Sequence, residues 1–300
     1  MANHPRFLVI DGYRRDGREE LAAGGATPAG ELYSQMLKKC HPGCDVDIAY
    51  PADPGDSLPR GAALEAYDGL AWTGSSLTVY ADDAAVTPQI ELARAAFEAK
   101  LPSFGSCWAA QIGVVAAGGV CAANPRGREM GIARKITLTP EGRAHPLYTG
   151  KPSVFDAFIS HEDECTHLPP GAVRLAGNAF TSVQAVAITH KGGTIWAVQY
   201  HPEYDLHEIA RLTYCRIERL TKMGFFADTD AAHDYVNKLE ALYQDPGRRD
   251  IAWLLGIDSD LTNEDVRLAE VRNWIEQLVL PNMAYCGGIS DSNSNTLSRT

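Results

Sequence analysis

Three hundred residues with 45% hydrophobic content are enough to bury a large core, in one domain or a domain with an extension. A formal charge of −11 argues against a nucleic-acid backbone or an anionic membrane as the main partner, and no run of about 18 apolar residues is present. Seven cysteines without framework spacing and an N-terminus (M-A-N-H-P-R) without a signal-peptide pattern lead to the expectation of a soluble cytoplasmic protein.

In chain order, Arg6 to Ile10 is a short apolar run closed by Asp11-Gly12, which predicts a buried first strand and its turn. Charged and Gly-rich residues 14 to 26 read as a loop. Thr27-Pro28 is a cap and first helical position for a helix to about Lys39. Val46 to Ala49 predicts a second strand, residues 51 to 60 a proline-rich connection, Gly61 to Glu65 a helical turn, and Asp68 to Trp72 a third strand. An amphipathic helix is expected from about Pro88 to Lys100, then a strand from Leu101 to Phe104. Strands alternating with helices imply an α/β fold with a mainly parallel central sheet flanked by helices. From Ile132 the pattern changes to strands with turns between them, at Ala133–Leu138, Ser153–Ile159, Val173–Gly177, Ser182–Ile188 and Thr194–Gln199. Beyond Glu203 the periodicity is helical, at about Leu206–Met223, Ala231–Leu242 and Asn263–Leu278, with a capping-box pattern at Thr262–Asp265. The expected organisation is a main domain over 1–222, a C-terminal helical extension over 223–285, and a disordered low-complexity tail over 286–300. Trp196, Trp253 and Trp274 lie on apolar stripes and are expected in the core.

The stretch from Lys100 to Gly118 carries the chemistry. A strand ends in Gly105-Ser106, reaches Cys107 and continues as an Ala- and Val-rich helix, the arrangement of a nucleophile elbow. Small neighbours let the backbone bend sharply, and the N–H groups at the helix start favour a negatively charged thiolate there. A buried inert thiol is the competing reading for such a residue. A cysteine nucleophile needs a base, and His201 stands apart among nine histidines. His4, His41 and His145 sit beside prolines or in loops, and His207 and His233 fall on predicted surface helices. His201 follows an apolar strand and opens H-P-E, so His201 and Glu203 are expected at the rim where Cys107 is delivered. That makes nucleophile, base and base-orienting carboxylate. The N–H of Trp108 is one expected oxyanion donor, and the turn Thr73-Gly74-Ser75-Ser76 is the second source.

Four segments in order, D-G-L-A-W-T-G-S-S, G-S-C-W-A-A-Q, F-I-S-H-E-D-E-C-T-H-L-P-P-G-A and A-V-Q-Y-H-P-E, resemble the class I glutamine amidotransferases, the Cys-His-Glu glutaminases that include the glutaminase domain of GMP synthetase. The resemblance spans roughly residues 6 to 220 and implies a flavodoxin-like fold. It implies Cys107 as nucleophile, His201 as general base and Glu203 as the residue orienting it. Gln111 matches a residue holding the substrate's amino-acid end, and Ser160, Glu162 and Asp163 match the glutamine-recognition loop. Ala109 and Ala110 replace the Gly and His of many members, and Gly74-Ser75-Ser76 stands where many have Gly-Gly-Pro, with Ser75 N–H and Gly74 as the implied second oxyanion donors.

Three functions follow from that resemblance. The first is hydrolysis of glutamine through a Cys107 thioester, with ammonia passed to a separate synthetase subunit. The second is a stand-alone hydrolase of γ-glutamyl amides that releases an amine, suggested by the lack of any fused acceptor domain. The third is a non-catalytic regulatory subunit of the same fold, against which the intact Cys, His and Glu set argues. No cofactor is expected. Cys40-His41-x-x-Cys44 has no matching second half for a zinc site, and His161, Cys165 and His167 fall in the recognition segment, so no metal site is expected.

Overall fold

A computed structural model describes residues 4–55, 58 and 63–284. The tail expected at 286–300 and part of the 51–65 connection lie outside the described residues.

The first strand, β1 (Arg6–Ile10), shows why the chain folds as it does. Its apolar residues alternate between two faces, and both faces are covered. Phe7 and Val9 join one core with Tyr33, Ala71 and Phe104, while Leu8 and Ile10 join another with Leu70, Trp72 and Ile112. The chain then forms α1 (Arg15–Ala23), α2 (Ala29–Cys40), β2 (Asp45–Ala49), β3 (Gly69–Trp72), α3 (Thr87–Glu98), β4 (Ser103–Ser106), α4 (Trp108–Ala116) and β5 (Val120–Ala123). Next come β6 (Glu129–Leu138), α5 (Pro140–Ala144), β7 (Val154–His161), β8 (Asp163–His167), β9 (Ala172–Gly177), β10 (Ala185–His190) and β11 (Gly193–Val198). Helices close the chain: α6 (Leu206–Cys215), α7 (Ile217–Lys222), α8 (Thr229–Gln244), α9 (Arg249–Leu255), α10 (Ser259–Thr262), α11 (Glu264–Arg267) and α12 (Ala269–Trp274), which runs into a π-helical turn, Ile275–Val279. No helix among the described residues is long and apolar enough to cross a membrane.

The main sheet has the order β2-β1-β3-β4-β11-β10-β9-β6-β7. The first five strands pair in parallel, so β1, β3, β4 and β11 all deliver their C-terminal ends to one rim. The remaining strands pair antiparallel, which returns β7 to the same direction as β4. In a flat sheet β7 would lie about 19 Å from β11, four strand spacings away. Instead Phe158 O of β7 accepts a hydrogen bond from His201 N at 2.8 Å. The antiparallel half therefore curls back over the rim. A second, two-stranded ribbon pairs β5 with β8 beside α4.

Several local expectations change. In place of a loop at 14–26 the chain forms α1, whose one buried side chain, Leu21, leaves almost no apolar periodicity to read. The helix expected over 206–223 breaks at Arg216, and the one expected over 263–278 is split among α11, α12 and the π-turn. The cap of α11 is Asn263, whose side chain accepts from Asp265 N. The strand before Cys107 is displaced to Ser103–Ser106, because parallel registers with β3 and β11 select those residues over Leu101 and Pro102. Trp253 is not in the core: it is 81% exposed on α9, while Trp196 and Trp274 are buried.

Candidate active site

Cys107 sits between β4 and α4 with φ 52° and ψ −93°, a backbone geometry that L-residues rarely adopt. The strain is held from both sides. Cys107 N donates to Val198 O at 2.7 Å, and α4 is buried along almost its whole length. Gly105 is required two residues earlier, since a Cβ there would lie 2.3 Å from Trp72 O and 2.5 Å from Ala109 Cβ. The tight approach of β3, β4 and α4 is what lifts Cys107 out of the sheet at the rim.

His201 follows β11, and its Nδ1 bonds Glu203 Oε1 at 2.7 Å. Glu203 Oε1 also accepts from the Ser106 hydroxyl at 2.8 Å, and that hydroxyl accepts from Tyr33 OH at 2.6 Å. Tyr204 stacks on the imidazole with ring centroids 4.2 Å apart and planes 5° from parallel. His201 and Glu203 are almost fully buried. Burial opposes a charge on His201, but Glu203 and Cys107 raise its pKa to about 9. The imidazole's Nε2 has no partner at full hydrogen-bond geometry among the described residues, while Cys107 is near enough to act on its titration. This thiol–imidazole–carboxylate set can move a proton between sulfur and ring.

Gly74 belongs to the same cluster: a Cβ on it would lie 3.0 Å from His201 Cε1 and 3.8 Å from Cys107 Cβ. The Ser75 hydroxyl donates to Gly12 O at 2.8 Å and accepts from Leu77 N at 3.1 Å, which fixes the turn after β3. Trp108 is the first residue of α4, so its N–H has no partner within the helix. Its indole donates to Gln89 Oε1 at 2.7 Å, and Gly12 leaves room for the ring.

A cavity of about 310 Å³ opens over Cys107 and His201. Ser75, Gln111, Ser160, Glu162 and Asp163 all line it. Gln111 Nε2 donates to Asp163 O at 3.3 Å and its Oε1 has no partner among the described residues. Ser160 O lies 3.8 Å from Cys107 Sγ. The carboxylates of the segment are already engaged: Glu162 accepts from Arg128 and Arg219, and Asp163 Oδ1 accepts from Tyr80 OH at 2.9 Å. Beneath it, the His161 ring bridges Asp163 O and Glu129, whose carboxylate also accepts from Asn178, Thr181 and Gln184. Burial works against the charge on Glu129, but His161, Asn178 and Thr181 bring its pKa below the ordinary value.

The structure thus brings together every residue singled out from the sequence for this site. It adds Tyr33, Ser106 and Tyr204 around the Glu203–His201 pair, and Tyr13, Tyr80, Arg128, Arg216 and Arg219 around the cavity. Ser106 and Tyr204 adjoin recognised motifs and were within reach of a sequence reading. The arginines were not, because their approach depends on the curl of the sheet and the break after α6. The Cys40–Cys44 segment closes α2, where burial pushes the Cys40 thiol up to about 12, and no group of three metal-ligating side chains occurs among the described residues.

The sequence model of the family described as glutamine amidotransferase class-I matches residues 33–212. A gamma-glutamyl-L-1-hydroxyisopropylamide hydrolase from a Pseudomonas species is 33% identical over 284 residues, covering 92% of this chain and 94% of that protein. A GMP synthase from Thermosipho africanus is 34% identical over 131 residues, 44% of this chain and 23% of that protein. In fold, a glutamine amidotransferase from Thermotoga maritima superposes with a TM-score of 0.65 over 92% of this chain and 99% of its own, at 17% identity.

Proposed function

The chain belongs to the class I glutamine amidotransferases, and from that premise we propose that it hydrolyses γ-glutamyl amides of amines as a self-contained enzyme. The observation that carries this reading is the extent of similarity. Likeness to the γ-glutamyl amide hydrolase runs through 92% of the chain and 94% of that protein, whereas likeness to the GMP synthases of Bordetella avium and Thermosipho africanus covers 67% and 44% of the chain and 34% and 23% of those proteins. The helices after residue 222, which lie beyond the family match at 33–212, therefore fall largely within the hydrolase similarity.

In the proposed reaction the Cys107 thiolate attacks the γ-carbonyl carbon, and the oxyanion is held by the N–H of Trp108 and the N–H groups of the Gly74–Ser75 turn. The His201 imidazolium, held by Glu203, gives its proton to the departing nitrogen as the C–N bond breaks and a thioester forms. His201 then takes a proton from water, which attacks the thioester to release glutamate and restore the thiol. Gln111 and the 160–163 segment hold the glutamyl end.

A second reading keeps the same chemistry but takes glutamine and passes ammonia to a separate synthetase subunit. It is favoured by similarity to a glutamine-hydrolysing GMP synthase subunit from Methanocaldococcus jannaschii, 33% identical over 120 residues, of which the match covers 60%. Steady-state rates separate the two. The hydrolase reading expects kcat/KM for a γ-glutamyl alkylamide to exceed that for glutamine by about tenfold or more. A preference for glutamine overturns it.

A further inference from the structure

The charged side chains lining the cavity beside the 160–163 segment are unevenly matched. Arg128 and Arg219 both donate to Glu162, at 2.7 and 2.8 Å, so that carboxylate has two cations. Asp163 and Arg216 are left, and neither forms an ion pair among the described residues. Asp163 Oδ1 accepts from the Tyr80 hydroxyl at 2.9 Å, and Arg216 Nη1 donates to the Ser160 hydroxyl at 2.8 Å. The cavity therefore holds one unmatched cation, at the Ser160 end of the segment, and one unmatched anion at Asp163. Half-buried Arg216 spends one donor on Ser160, which leaves most of its guanidinium fork for a ligand. A carboxylate is the group that fork fits best. Arg216 lies outside every motif that carries the family resemblance. The break between α6 and α7, which falls on Arg216 itself, is what sets it there.

A γ-glutamyl group carries charges of the matching kind: its α-carbon bears one carboxylate and one ammonium group. With the γ-carbonyl carbon at Cys107, the oxyanion turns to the Trp108 N–H and the leaving nitrogen to His201. The rest of the glutamyl chain then runs along the 160–163 segment. Ser160 marks how far it has to reach, since its carbonyl oxygen lies 3.8 Å from Cys107 Sγ while its hydroxyl holds Arg216. One residue thus spans the gap from nucleophile to guanidinium, and a glutamyl chain is of comparable length. Toward Asp163, Gln111 Oε1 has no partner among the described residues, so acceptors for the ammonium group gather at that end. The inference rests on the γ-glutamyl chemistry proposed above, in the part that glutamine and γ-glutamyl amides share.

We propose that Arg216 binds the α-carboxylate of the glutamyl group, and so selects amides of α-amino acids over amides of simple amines and acids. Trimmed substrates test this on the full chain. Glutamine is compared with 4-aminobutanamide, which lacks the α-carboxylate, and with glutaramic acid, which lacks the α-amino group. The matching series built on γ-glutamyl-ethylamide is run alongside. Wild type is expected to lose about tenfold to a hundredfold in kcat/KM when the carboxylate is removed. In Arg216→Gln that penalty is expected to shrink at least about fivefold, while the penalty for removing the amino group stays as it was. The contact is made in ground state and transition state alike, so the variant is expected to raise KM for the parent substrates with kcat nearly unchanged. Arg216→Lys, which keeps the charge without the fork, is expected to recover part of the discrimination. A wild-type penalty below about threefold overturns the proposal without need of a variant. So does an Arg216→Gln enzyme slowed equally on every compound with the carboxylate penalty intact, since Arg216 would then serve only to hold Ser160. Turnover of neither glutamine nor γ-glutamyl-ethylamide by wild type is a different failure: it rejects the γ-glutamyl reading, and this proposal with it.

Discussion

At the scale of single residues, the buried chain Tyr33–Ser106–Glu203–His201 holds the carboxylate against the imidazole. Each hydroxyl donates toward the carboxylate, which leaves Glu203 directed at the imidazole. The folded-state pKa of His201, about 9, lies above the ordinary value of 6.5. A raised pKa means the His201–Glu203 pair stabilises the fold fully below pH 6.5 and loses that contribution as pH climbs through about 9. For the proposed reaction the same titration sets the alkaline limb of kcat/KM, because a neutral ring has no proton for the leaving nitrogen. In Glu203→Gln the carboxylate's attraction is gone and only Cys107 is left to offset burial, so the alkaline limb is expected to move to lower pH and the maximal rate to fall by roughly 10²–10⁴. A pH–rate profile checks this, and an unmoved limb would mean that another group controls it.

At the scale of elements, the decisive unit is β4, the bend at Cys107 and α4. It was legible because it is local: an apolar strand, two small residues and an Ala- and Val-rich helix adjoin in the chain. H-P-E was legible for the same reason. What periodicity could not show was α1, with one buried side chain, or the ribbon of β5 and β8, whose strands are short and about 40 residues apart. The elbow also sets a packing limit at Gly105, where β3 and α4 close on the backbone. Gly105→Ala is expected to lower stability by about 1–3 kcal/mol, as overpacking does, and to reduce activity more steeply than stability. Thermal unfolding and kcat measured on the same sample give both numbers. Wild-type activity in this variant would show that the elbow relaxes freely.

At the scale of the whole molecule, the C-terminal helices are packed into the sheet's own core. Trp274 is fully buried, with its ring 5.3 Å from Phe7 and 5.9 Å from Phe104, side chains of β1 and β4. Gly69 of β3 leaves space for its edge. Nearby, Lys151 donates to Glu270 at 2.7 Å, and Tyr200, which follows β11, donates to the same carboxylate. Burial pulls the pKa of Lys151 down against the pull of Glu270, so this contact ties α12 to the body under strict pairing. Trp274→Ala is expected to cost about 3–5 kcal/mol in denaturant unfolding, in one cooperative transition. Two separate transitions, or a loss below about 1 kcal/mol, would make residues 223–285 an independent unit.

The sequence by itself determined the parallel α/β class, the bend at Cys107 and the pairing of His201 with Glu203. Each of these is written in adjacent residues whose backbone preferences and spacing act locally. Tertiary structure alone decided which groups surround that bend. Phe158 meets His201, Arg216 faces the cavity and Trp274 enters the core only because strands far apart in order curl together and a helix breaks. Those are balances of packing over the whole sheet, which no short window of sequence contains.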